Sequence, residues 1–170
     1  MDDNTKTQDL VITRIFQAPI DEVWKAWVEP EQVMQWWGPE GFTSPRAEID
    51  FREGGVSLVC MRAPQELGGQ DLYNTWTYTK IVPLEAVAFV THFTDEHGDP
   101  IDPTSVGIPE GTPEAVRTLV TFRELGERMT EIVVTEFDWP VGEQMEMSRL
   151  GMEQCLDKME ALLAHERQPS

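Results

Sequence analysis

The hydrophobic period of this chain changes twice, and those two changes leave few folds open to it. After an opening strand, apolar residues recur at helical spacing as far as Trp37, and Gly38-Pro39 ends that pattern. From about residue 42 to residue 137 the pattern alternates, as half-buried strands do. From Met145 onward one helical stripe returns and runs almost to the end.

Leu10-Val11-Ile12-Thr13-Arg14-Ile15-Phe16 reads as the opening strand, preceded by polar residues 1–9 that are expected to fray. Ala18-Pro19-Ile20-Asp21 opens a first helix carrying Val23, Trp24 and Trp27, and Pro30 begins a second. Val33, Met34 and Trp37 form the apolar stripe of that second helix. Consecutive indoles on a helix point about 100° apart. Trp36 and Trp37 therefore cannot share one environment, and one is expected inside while the other leans on a rim.

Six strands come next. Ala47, Ile49 and Phe51 alternate with Glu48, Asp50 and Arg52, and Gly54-Gly55 turns the chain into Val56 to Met61. Tyr73 to Ile81, Ala86 to Phe93, Val116 to Phe122 and Met129 to Phe137 complete the run. Residues 94–113 have four prolines and no period, so they read as a long loop that is either disordered or functional, the functional version being a lid over a cavity mouth. In the last helix, with Asp138 as its expected cap, Met145, Met152, Leu156, Met159 and Leu163 share one face. Gly151 sits within that stretch at a cost of about 1 kcal/mol relative to alanine, which suggests a close approach by a sheet or a ligand.

Every strand has a face to bury, and the final helix offers the largest apolar stripe. The economical packing is an α+β domain in which a curved antiparallel sheet of about seven strands wraps a long C-terminal helix, with two short helices after the first strand. Space between such a sheet and its helix is the candidate site. A single domain over 1–170 suits the length.

Charge narrows the partners. Thirty-one acidic residues against thirteen basic ones give −18, a field that repels nucleic acid and anionic membrane surfaces. No run of about 18 apolar residues is present, so no membrane insertion is expected. Met1-Asp2-Asp3-Asn4 is unlike a secretory signal, and a cytoplasmic location is expected. Cys60 and Cys155 read as buried free thiols.

Conventional catalytic machinery is missing from the sequence. The three histidines, His92, His97 and His165, have no metal-ligand spacing, and there is no H-E-x-x-H, G-x-S-x-G or phosphate-binding loop. No metal or cofactor is expected. Arg62, Arg117 and Glu136 lie on or beside strands and are read as facing solvent; an inward-facing one would grip a polar ligand group.

Ala18-Pro19, Val23-Trp24 before Pro30, Trp36-Trp37-Gly38-Pro39, Gly54-Gly55 and Ile81-Val82-Pro83 together resemble the START-like (SRPBCC) superfamily. Within it they are similar to the branch named for the activator of heat-shock-protein-90 ATPase. The closing Gly151-Met152-Glu153-Gln154-Cys155-Leu156-Asp157-Lys158-Met159 resembles that branch's final helix, and Phe93 to Pro100 resembles an insertion of its bacterial members. The resemblance covers residues 9 to 164. It implies a helix-grip fold with an internal cavity for small apolar or amphipathic molecules. Two departures reshape the cavity wall: Met152 stands where the family usually has Trp, and the small glycine usual near Trp76 is absent.

The function expected is non-catalytic binding of a small hydrophobic or amphipathic molecule. Trp36, Trp37, Met61, Trp76, Tyr78 and Phe89 are expected as apolar walls, Met152 and Leu156 as the helix's share, and His92 as a polar contact near the mouth. One alternative is a cyclase- or aromatase-like enzyme using the same cavity, which would need an inward His92 paired with an arginine or carboxylate. The other is a module contacting a chaperone, by family name, which would need an exposed apolar patch.

Overall fold

The computed structural model describes residues 6–167, with side chains to residue 164. Chain order is β1 (Thr7–Phe16), α1 (Ile20–Val28), α2 (Pro30–Trp36), β2 (Thr43–Glu48), β3 (Val56–Arg62), β4 (Asp71–Val82), β5 (Ala86–Thr94), β6 (Ala115–Gly126), β7 (Met129–Pro140) and α3 (Glu143–Arg167). The strands form one curved antiparallel sheet in the order β1-β7-β6-β5-β4-β3-β2. β2 to β7 form a meander of neighbours, whereas β1 pairs with the last strand. The two short helices therefore carry the chain from one edge of the sheet to the other, and α3 packs in the concavity. This is the helix-grip arrangement.

Local chemistry explains the short helices. Pro30 occupies the first turn of α2, where its missing N–H is not needed. Trp37 caps that helix in extended geometry and donates its N–H to Val33 O at 2.9 Å. Gly38 comes next at φ +106°, a conformation that favours glycine, and a Cβ there would lie 3.0 Å from Phe42 Cβ.

The core lies between the sheet and the helices. Val23, Ala26 and Trp27 of α1 and Val33 and Trp36 of α2 join Leu156, Met159 and Leu163 of α3. Phe16, Tyr78, Phe122, Ile132 and Val134 supply the sheet's share. Trp24 stands edge-on to Phe51 and Phe122 at 5.6 and 5.0 Å, which fills the α1 end of the concavity with aromatic rings.

Several boundaries differ from the sequence reading. The strand expected through Ala47, Ile49 and Phe51 is Thr43–Glu48, so Ile49 and Phe51 lie past its end. β1 begins at Thr7, so residues 7–9 are strand; residues 1–5 lie outside the described residues. Asp138 does not cap α3, because β7 continues to Pro140 and the helix starts at Glu143. The helix runs to Arg167, so His165, expected from the sequence in a solvated C-terminal tail, is helical; its side chain lies outside the described residues. In α2 the buried residues are Val33 and Trp36, not Trp37.

The candidate site, a cavity between the sheet and the first half of the long helix

α3 divides into two stretches by what it meets. Leu156, Met159 and Leu163 are packed into the core, as is Met145 near the start, whereas Gln144, Ser148, Gly151 and Met152 border open space and the buried Cys155 lies at its edge. That space is a cavity of about 620 Å³, within the range of small-molecule sites. Its floor comes from β4 to β7, through Asn74 and Trp76, Phe89, Thr91 and Phe93, Val116 and Thr118, and Glu136 and Trp139. Trp27, Trp37, Gly38 and Pro39 wall one side, and Ile108, Pro109 and Thr112 of the β5–β6 connection reach it from another.

The two adjacent tryptophans separate as expected. Trp36 is fully buried, and its Nε1 donates to Ala26 O at 2.7 Å. Trp37, whose extended backbone breaks the helical spacing, turns its ring 82° from Trp36 and stands edge-on to Trp76 at 5.3 Å on the cavity wall. The stop signal at residues 36–39 thus places one indole in the core and the other at the site.

Among the residues expected at the site, Trp37, Met61, Trp76, Phe89 and Met152 line the cavity. Trp36, Tyr78, Leu156 and His92 do not. Trp36 and Leu156 lie in the core. Tyr78 is buried beyond Phe89, with its hydroxyl 2.8 Å from Ser57 Oγ, and burial pushes its phenol up to about 12. His92 stands on the opposite face of β5 from Phe89, Thr91 and Phe93, because strand side chains alternate. Its backbone carbonyl accepts from Asn74 Nδ2 at 3.3 Å.

Gly151 has an outcome of its own. An added Cβ there would meet nothing within 4 Å, so no sheet presses against it. The glycine leaves volume in the cavity wall.

The charged residue that matters is Glu136. Arg62 and Arg117 face solvent in pairs with Asp71 and Asp138, as expected, but Glu136 points inward and is 8% exposed. Its Oε1 accepts from Trp139 Nε1 at 2.9 Å and from Ser148 Oγ at 3.0 Å. No hydrogen bond among the described residues reaches Oε2. Burial raises its carboxyl above the ordinary range, against those two hydrogen bonds, which pull it down.

A β-bulge brings this group together. Gln8 pairs with Trp139 but Leu10 pairs with Glu136, so β7 places two residues, Phe137 and Asp138, opposite Asp9. Asp138 takes the extra step at φ +60° and donates its N–H to Asp9 Oδ1 at 3.1 Å. In an unbroken strand, residues three apart face opposite sides. The bulge turns Trp139 to the same side as Glu136. The strict alternation of Thr130, Ile132, Val134 and Glu136 as buried residues was the sequence signal that could have found the inward carboxylate.

Four buried polar atoms on cavity-lining residues have no partner among the described residues: the indole nitrogens of Trp27, Trp37 and Trp76, and Asn74 Oδ1. Among the described residues no cluster of His, Cys, Asp and Glu could hold a metal ion.

Comparison with known proteins agrees with this architecture. A protein from Chromobacterium violaceum superposes with a TM-score of 0.73 at 24% identity, covering 91% of this chain and 96% of that one. One described as AHSA1 from Silicibacter pomeroyi gives 0.72 at 20% identity, covering 94% and 100%. A solution structure from Staphylococcus epidermidis gives 0.73 at 20% identity, covering 100% and 98%. Identities this low speak to the fold alone. No curated protein matches the chain. The family model described as activator of Hsp90 ATPase homolog 1-like protein matches residues 17–164, nearly the whole helix-grip domain, and the chain belongs to that family.

Proposed function

We propose that this protein binds a small amphipathic molecule, without chemical turnover, in the cavity between the sheet and α3. The observation that carries the reading is the cavity itself: about 620 Å³, walled by Trp37, Met61, Trp76, Phe89 and Met152, in a domain otherwise packed with aromatic side chains. Burying a ligand's apolar surface at roughly 25 cal/mol per Å² would supply the affinity.

Polar groups around the wall explain why the ligand should be amphipathic. An unpartnered buried polar atom costs about 1–3 kcal/mol. The free indole N–H groups near β4 and the carboxylate on β7 would gain partners from a ligand with polar groups on an apolar frame. Residues 108, 109 and 112 of the long connection lie at the cavity and suit a lid that admits and covers the ligand. The cyclase-like alternative loses its expected base, since His92 faces away from the cavity.

Native mass spectrometry of protein purified under mild conditions tests the reading. A small molecule that co-purifies, and is displaced when Gly151→Phe fills the cavity, supports it. Protein that leaves the cell empty and takes up no amphiphile from a broad panel, with no change in tryptophan emission, overturns it.

A further inference from the structure

We propose that the ligand is a cationic amphiphile, an apolar body carrying a protonated amine, and that Glu136 is its counter-charge. The inference rests on the cavity-binding reading above and names the chemical class of what is bound.

Three independent observations converge on a cation. Glu136 is nine-tenths buried on the cavity wall, with both of its hydrogen bonds going to Oε1. Oε2 is left to accept from something else, and an ammonium N–H makes the stronger, charge-assisted kind of bond. Next, the cavity has a one-sided charge. Glu136 and Glu143 line it, and among the described residues no Lys, Arg or His does. Lys158, further along α3, is engaged elsewhere and donates to Phe42 O at 2.8 Å. A fatty acid or other anion would enter with no counter-charge and against two carboxylates. Lastly, the walls are aromatic. Trp37, Trp76, Phe89, Phe93 and Trp139 line the cavity, and aromatic rings attract ammonium groups.

Fixed geometry makes Glu136 suited to this role. Trp139 Nε1 and Ser148 Oγ hold one oxygen from two elements, β7 and α3, so the carboxylate cannot swing to solvent. Outside, the net charge of −18 concentrates cations around the protein and would raise their rate of encounter.

The test compares three probes of one length, n-octylamine, 1-octanol and octanoate, by tryptophan fluorescence and calorimetry at neutral pH and physiological ionic strength. We expect octylamine to bind about tenfold or more tighter than octanol, and octanoate more weakly than octanol. Glu136→Gln should abolish the preference, so that octylamine binds this variant no more tightly than octanol does. Octanol bound as tightly as octylamine by the wild type overturns the cation assignment and leaves cavity binding intact. An amine preference that survives Glu136→Gln also overturns it, because surface charge would then be the cause. Should Glu136→Gln fail to fold, Gly151→Phe takes its place: amine binding that persists with the cavity filled rejects the proposal. If none of the three probes binds, the cavity reading fails and this inference falls with it.

Discussion

Trp139 donates its indole N–H to the Glu136 carboxylate at 2.9 Å, although the two residues lie three apart on one strand and an unbroken strand would set them on opposite faces. Asp138, at φ +60°, supplies the extra residue that reverses the alternation. A bulge re-aims side chains, and here it joins an aromatic cavity wall to a buried acid on the sheet's inner face. Without that local slip the indole and the carboxylate would not meet.

Replacing Asp138 reads the bulge directly. A β-branched side chain pays about 1–2 kcal/mol in this conformation. Asp138→Val should lower the denaturant midpoint accordingly, and Asp138→Gly should not. The exposed pair with Arg117 contributes little to either result. Equal stabilities for the two variants would remove the strain argument.

Glu136 sets a pH dependence of known sign. Its folded carboxyl is raised above the ordinary value of 4.5, chiefly by burial. The folded state therefore holds a proton that the unfolded state has released, and stability falls as pH rises from about 4.5 to the folded value. Above that value the penalty is constant. Glu136→Gln should be close to neutral in effect at pH about 4 and more stable than wild type at pH about 7, in thermal melts of ligand-free protein. A stability difference that does not change with pH would contradict this.

Gly151 faces empty volume, so enlarging it should not disturb packing. Gly151→Ala should stabilise α3 by up to about 1 kcal/mol through helix propensity. Gly151→Phe should fold, fill the cavity and abolish the fluorescence response to octanol. A Gly151→Phe protein that unfolds would show that the wall has less room than its neighbours imply.

Cys155 lines the cavity, yet burial pushes its thiol up to about 11. Little thiolate then forms at pH about 8, and the native protein should resist a chromogenic disulfide reagent that modifies both cysteines in denaturant. Rapid native labelling of Cys155 would mean that the cavity opens to solvent more widely than the structure allows.

The order of elements was legible in the sequence, because hydrophobic period reports a local choice between helix and strand. Gly38-Pro39, the alternation through residue 137 and the stripe from Met145 to Leu163 determined a curved antiparallel sheet around a long C-terminal helix, and the structure has that arrangement. Of the nine residues expected at the candidate site, five line the cavity. Trp37, Met61, Trp76, Phe89 and Met152 are large side chains on elements bound to meet in any such fold. Tertiary structure alone decided the rest. His92 and Phe89 both lie on β5, which is apolar on both faces, so alternation could not say which side was inward. Leu156 and Met152 share a helix face, and only the distance from helix to sheet along α3 separates core from cavity. Glu136 had an inward phase in the sequence, but its partner Trp139 became available through a slip against β1, more than a hundred residues away. Period is a property of neighbouring residues; enclosed volume and strand register are properties of elements that meet across the fold.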